Sequence, residues 1–213
     1  MLADIRSQKT VLRKRIAGLL RTLSRDEVVE QSEALTQHVV ALDVFRDARS
    51  VSIYLAMEAE AKTSTLVDAL FAAGKTIYVP KVIGAKSEDM VMLRVDSTAE
   101  MTTFPKSKWG IPEPPPSLPS GLARIDALDA LDVDIVLVPG VAFDHRCNRL
   151  GHGKGYYDCF FERYASRNGG KLPVTIGIAL EAQIVDAVPT SGHDKVLDMV
   201  ATPQGILRSS ARS

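Results

Sequence analysis

One stretch constrains the fold of this chain more than any other: DIVLVPGVAFDHRCNRLGHGKGYYD, residues 134–158. It begins inside Val133–Pro139, a continuous apolar run with the pattern of a strand covered on both faces in a parallel sheet. Pro139–Gly140 ends the strand, a loop follows, and a glycine-rich turn opens a helix expected over Gly155–Ala165. Parallel neighbours need crossover connections, and ligands of such sheets bind beyond the carboxyl ends of the strands. An α/β chain is expected, with its site at this turn.

The other periodicities fit that frame. Ile5, Leu12, Ile16, Leu19, Leu20 and Leu23 share one face of a helix expected over Asp4–Leu23. Ser24 and Glu27 form a capping-box pattern that starts a second helix, with Val28, Ser32, Leu35, Val39 and Leu42 on its core face. Ser50–Leu55, Thr76–Val79 and Met90–Val95 read as strands, and Thr63–Ala73 as a helix stopped by Gly74. This order predicts a βαβ unit with a right-handed crossover and a parallel sheet. Six prolines between Phe104 and Gly121 make that segment a loop. Val174–Ile178 and Val196–Ala201 supply further strands. With no internal repeat or interdomain linker, the expectation is one domain over 1–213. It would be a doubly wound, mostly parallel sheet with an N-terminal helical pair packed against it.

Composition excludes several function classes. Lys plus Arg (26) balance Asp plus Glu (26), so no global field recruits nucleic acid or an anionic membrane. No apolar run approaches the roughly 20 residues of a spanning helix. Cys147 and Cys159 lack a CxxC spacing and suit a reducing compartment as free thiols. The four histidines form no HExxH pair, which argues against zinc. The first 25 residues are basic, with only Asp4 as an acid before position 26, and composition alone leaves open a transit peptide.

The chemistry concentrates in Arg149–Asp158. Gly151, Gly153 and Gly155 let backbone N–H groups approach an anion closely, and the following helix adds its unsatisfied N-terminal amides. Arg149 and Lys154 bring positive charge, so a polyphosphate is the natural guest. The segment is no Walker A loop, because Gly155 follows Lys154 and Asn148 replaces the first glycine. A dinucleotide fingerprint would place the third glycine one residue later. The plain alternative is a glycine-rich surface loop. Asp158 reads equally as a ligand for magnesium beside phosphates or as a helix-dipole acid. Lys9 and Arg13, one turn apart, read as a solvated basic face on their own. Trp109 reads as a packing anchor or as a stacking platform for a flat ligand.

These motifs, taken in order, resemble one family. KTVLR at 9–13, SIYLAMEAEAKT at 52–63, GKTIYVPK at 74–81, PKSKWGIPEP at 105–114 and the 134–158 run are similar to the 5-formyltetrahydrofolate cyclo-ligases, with RLGHGKGYYD the most specific match. The resemblance implies a fold like that of phosphosugar isomerases and CoA transferases. It implies ATP held by Lys9, Arg13 and the loop Arg149, Leu150, Gly151, His152, Gly153, Lys154, Gly155, Tyr156 and Tyr157, with Mg²⁺ at Asp158 and Asp194. 5-Formyltetrahydrofolate would lie against Leu55, Glu60, Trp109 and His152, with Tyr156 closing over it and Arg149, Lys154 and Tyr156 carrying catalysis. Lys9 and Arg13 then belong to the site, which removes the cleaved-leader reading. A cytoplasmic monomer is expected.

Two departures stand out: His152 where some members have arginine, and Lys62 where many have an acid. In the implied reaction the formyl oxygen attacks the γ-phosphate, N10 closes on the activated carbon and phosphate leaves. That oxygen carries no proton, so the first step needs no general base. The competing readings are a phosphosugar isomerase or CoA-transferase-like enzyme, with Glu60 as its carboxylate, and a non-catalytic nucleotide-binding module.

Overall fold

The computed structural model describes residues 4–107, 110–192 and 194–210. The chain opens with α1 (Ile5–Leu20) and α2 (Arg25–Val40), followed by the short α3 (Asp43–Asp47) and strand β1 (Ser50–Ser52). Helix α4 (Ser64–Ala72) leads to β2 (Thr76–Val82), β3 (Met90–Val95) and α5 (Thr98–Met101). After the proline-rich segment come α6 (Ala127–Ala130), β4 (Ile135–Val138), β5 (Ala142–Asp144) and β6 (Arg149–Leu150). The chain then runs through α7 (Tyr156–Arg167), β7 (Val174–Ile178), β8 (Ile184–Val185), β9 (Met199–Thr202) and β10 (Gly205–Arg208).

Seven strands form the main sheet in the order β10-β9-β7-β4-β1-β2-β3. The five inner strands run parallel, and β3 and β10 close the two edges antiparallel. The parallel expectation therefore holds for the interior and fails for Met90–Val95. Only residues 83–89 separate it from β2, too few for a crossover to a parallel neighbour. β4, from the apolar run, sits between β1 and β7 with all four residues buried.

Helices cover both faces. On one, α2 and α4 pack Leu35, Val39, Leu66 and Leu70 against Val51, Ile77, Ile135 and Ile176. On the other, Phe160, Phe161 and Tyr164 of α7 and Leu128 of α6 cover Tyr78, Val136 and Val138. The expected helical pair divides. The capping box of Ser24 and Glu27 forms as read, and α2 joins the main sheet. Leu12 and Ile16 of α1 instead pack on Val141, Ala142, Leu150 and Val185 of a second, three-stranded sheet, β6-β5-β8. That sheet carries the glycine-rich segment, so α1 is built against the site.

Arg124 fastens the proline-rich segment to the sheet. Its buried guanidinium donates to the carbonyls of Pro115 (2.8 Å) and Arg94 (3.0 Å), lies 5.3 Å from the centre of the Phe104 ring and pairs with Glu100. Burial alone would raise the Glu100 carboxyl, but hydrogen bonds from Arg124 and from the Asp96 N–H, with the charge of Arg124, hold it below its usual value. Its contribution to stability is therefore complete above the ordinary glutamate value of about 4.3 and is lost as pH falls through the lower folded value. Arg124→Ala is expected to cost about 3 kcal/mol in denaturant melts, because it strands a partly buried carboxylate. A loss under about 0.5 kcal/mol, the range of plain surface changes, would show that the pair holds nothing.

Candidate active site

The site is assembled from three segments that meet beyond the carboxyl end of β4. The first is the loop from β6 to α7. Gly155 is the N-cap of α7 at φ 69°, a left-handed conformation that favours glycine, and no side chain caps the helix. The first-turn amides of α7 are thus left to face an incoming anion, as at other helix N-termini. At Gly151 the constraint is space: a Cβ would lie 2.8 Å from a terminal nitrogen of Arg149.

Arg149 lies over this loop with its side chain only 7% exposed. It pairs with Asp158 at 3.1 Å, lies 5.6 Å from the centre of the Tyr157 ring and reaches the Pro139 carbonyl at 3.4 Å. Its Nε is buried with no hydrogen-bond partner among the described residues. An orphaned buried donor costs roughly 1–3 kcal/mol, more when charged, and a ligand oxygen would satisfy it.

α1 is the second segment. Arg13 Nε donates to the Gly151 carbonyl at 2.8 Å, which fixes a guanidinium above Gly153. Lys9 Nζ reaches both carboxylate oxygens of Asp194 at 2.6 and 2.8 Å. The basic stripe of α1 is therefore divided: Lys9 and Arg13 turn inward, while Arg6, Lys14 and Arg15 stay exposed. Asp194, on the third segment, also accepts the Ser191 N–H and hydroxyl. Burial pushes its carboxyl up, but these bonds and the Lys9 charge together hold it below its ordinary value. Asp158 and Asp194 are linked through the backbone, since the Lys195 N–H points to Asp158 Oδ1 at 3.4 Å.

The folate side implied by the resemblance lies at the 54–63 turn. Leu55 lines a cavity of about 290 Å³ with Ala56, Lys62, Thr63, Met101 and Pro112. Glu60 is buried, accepts the Met57 N–H at 2.8 Å and sits 3.7 Å from His152 Nε2, so the turn meets the glycine-rich loop. Burial, then the Glu60 charge, raises the hydroxyls of Tyr54 and Tyr157 well above the ordinary tyrosine range. Lys62 donates from Nζ to the carbonyls of Met57 (3.0 Å) and Glu58 (2.8 Å), a staple on the turn that holds Glu60.

Several expected residues are present in a different capacity. The side chain of Leu150 is in the core of the second sheet, so only its backbone is available. Tyr157 is buried as the floor under Arg149. Tyr156 is half-buried at the head of α7 and packs partly into the core. Lys154 and His152 are exposed beside Gly153. Trp109 lies outside the described residues. Sequence reasoning gave Asp144 no role, although its carboxylate accepts the Arg146 N–H two residues on, the contact of an Asx turn, which an aspartate at the end of a strand can signal.

The 5-formyltetrahydrofolate cyclo-ligase family model matches residues 5–203. The chain belongs to that family. It is 35% identical to the 5-formyltetrahydrofolate cyclo-ligase of Mus musculus, over 92% of this chain and 94% of that one. The solved structure of the Aquifex aeolicus 5,10-methenyltetrahydrofolate synthetase superposes with a TM-score of 0.74 at 29% identity, covering 96% and 95% of the two chains. A relative from Arabidopsis thaliana, 28% identical over the whole of this chain and 80% of its own, is named as mitochondrial. Among the described residues no helix is long and apolar enough to cross a membrane. Membership makes the protein an enzyme of the cyclo-ligase class.

Proposed function

We propose that this protein converts 5-formyltetrahydrofolate to 5,10-methenyltetrahydrofolate with the cleavage of ATP and the release of ADP and phosphate. The observation that carries the reading is the buried arginine with an orphaned Nε, set beside an uncapped helix N-terminus and roofed by Arg13. Three cationic side chains converge on one loop, and a Cβ at Gly151 would displace the Arg149 guanidinium. Such a site suits a polyphosphate, and the adjoining cavity at Leu55 suits the folate body.

On this reading the formyl oxygen attacks the γ-phosphorus in line, and the leaving ADP takes the electrons of the broken P–O bond. N10 then closes on the activated carbon and gives up its proton to solvent, and phosphate departs with the former formyl oxygen. Arg149, Arg13 and Lys154 bind the phosphates and neutralise the charge that develops on them. Glu60 and Leu55 orient the folate, with Tyr156 and Trp109 as further contacts.

The family reaction implies magnesium, and the residues fit a shared rather than a caged ion. Among the described residues no cluster of three or more metal-ligating side chains occurs, and Asp158 Oδ1 has only a long 3.4 Å contact. Magnesium is commonly held by one or two carboxylates together with substrate phosphates. Asp158 would hold it, with Asp194 joining when Lys9 turns to a phosphate. The ion, when bound, would supply charge neutralisation at the phosphates.

We read residues 1–213 as one catalytic unit, with a lineage shared with phosphosugar isomerases and CoA transferases. The parallel interior of the sheet and a site at its carboxyl end support this. The test follows absorbance of the methenyl product. Product is expected only with Mg-ATP and 5-formyltetrahydrofolate together, with ADP released one for one. Full-rate product without ATP would falsify the assignment.

A further inference from the structure

Asp144, at the end of β5, is 2% exposed, yet among the described residues no cationic side chain pairs with it. Its charge is met by N–H donors instead. Oδ1 accepts from the backbone of Arg146 (2.9 Å) and Asn148 (3.0 Å) and from the Asn148 side chain (3.2 Å). Oδ2 accepts from the Asn148 side chain (2.9 Å) and the Val188 N–H (3.0 Å). A carboxylate offers about four lone-pair sites, so this one is saturated and has no capacity left for a ligand. Its effect must be exerted through what it fastens.

It fastens both flanks of the phosphate site. On one side it closes the tight turn 144–148, in which Cys147 takes a φ of 63°, the Cys147 N–H donates to the Asp144 carbonyl and the Asp144 N–H donates to the Asn148 carbonyl. That turn delivers the next residue, Arg149, opposite Phe143 in the β5–β6 pair. On the other side the same carboxylate holds Val188, and the Cys147 carbonyl accepts the Leu197 N–H at 3.0 Å. Asp194, the partner of Lys9, lies on the segment between these two anchors. The Arg149–Asp158 pair and the Lys9–Asp194 pair are thus hung from one buried carboxylate.

Resting on the ATP-dependent reading above, we infer that Asp144 is a positioning residue for phosphoryl transfer, which sets the separation between Arg149 and the Asp194 segment. The turn at Glu60 and the cavity at Leu55 do not touch it, so its loss should separate ATP-dependent turnover from the binding of folate alone. In Asp144→Asn one acceptor oxygen becomes a donor, facing either the Val188 N–H or the Asn148 amide. A displacement of about 1 Å in a reacting site is worth up to ~100-fold, so kcat/KM for ATP should fall by roughly 10- to 100-fold. Binding of 5-formyltetrahydrofolate, measured without nucleotide, should stay within about twofold, as befits a loss confined to the phosphate side.

A merely structural residue would lower the melting temperature and leave both constants of the folded molecules unchanged. That result, or an equal fold-loss in kcat/KM for ATP and in nucleotide-free affinity for 5-formyltetrahydrofolate, overturns the inference. If Asp144→Asn does not fold, Asn148→Ala removes only the side-chain clasp and should show the same split at roughly 3- to 10-fold, reduced because fewer bonds are lost. No split there overturns the role of Asp144. ATP-independent turnover by the unmodified protein would sink the proposed reaction instead, so the two failures are distinct.

Discussion

Arg149→Met is expected to lower kcat by on the order of 10²–10³, the effect of removing one preorganised donor from a transition state that gathers negative charge. The guanidinium is held in place before any ligand arrives. Its contacts to Asp158 and Pro139 and its seat over the Tyr157 ring leave Nε as the orphaned donor. Methionine keeps an unbranched stem to cover Tyr157, so the fold should survive by circular dichroism. Nucleotide-free folate binding should hardly change, because the loss falls on the phosphate side. Arg149→Lys should recover little, since a point charge cannot reproduce the planar fork. A methionine variant that folds and turns over within a few-fold of the parent rules out a transition-state role for this arginine.

Lys154→Ala should produce a similar kinetic loss, about 100-fold, with almost no structural cost. Lys154 is exposed between Gly153 at φ 94° and Gly155 at φ 69°. Exposed substitutions of this kind change stability by less than about 0.5 kcal/mol. The prediction is an unchanged melting temperature with collapsed turnover. That pairing separates Lys154 from Arg149, whose removal also disturbs a half-buried ion pair. Near-normal turnover in the alanine variant would return Lys154 to the solvated surface of an inert loop.

The elements legible in the sequence were those whose local signal is strong. Val174–Ile178 is a strand over the span expected, and the apolar run contains β4. Gly74 adopts φ 67° at the end of α4, as a C-terminal stop requires. Strands β5, β6, β8 and β10 carry no readable signal, because two to four residues give too little periodicity to register. Strand direction was missed at β3, since an apolar pattern reports burial, not orientation.

The sequence by itself determined an α/β sheet around one buried strand, a glycine-rich anion loop at the head of a helix, and, through five ordered motifs, the family. Those properties follow from nearest neighbours along the chain: period, capping, glycine spacing and fixed motif order. Only the tertiary structure decided that α1 leaves α2 and brings Lys9 to Asp194, 185 positions away, and Arg13 to Gly151. It alone brought the Glu60 turn to His152 and hung Arg149 and the Asp194 segment from Asp144. These contacts satisfy buried charges and amides with partners remote in sequence, and a buried polar group is satisfied by whatever the packing brings within about 3 Å, which no local pattern encodes.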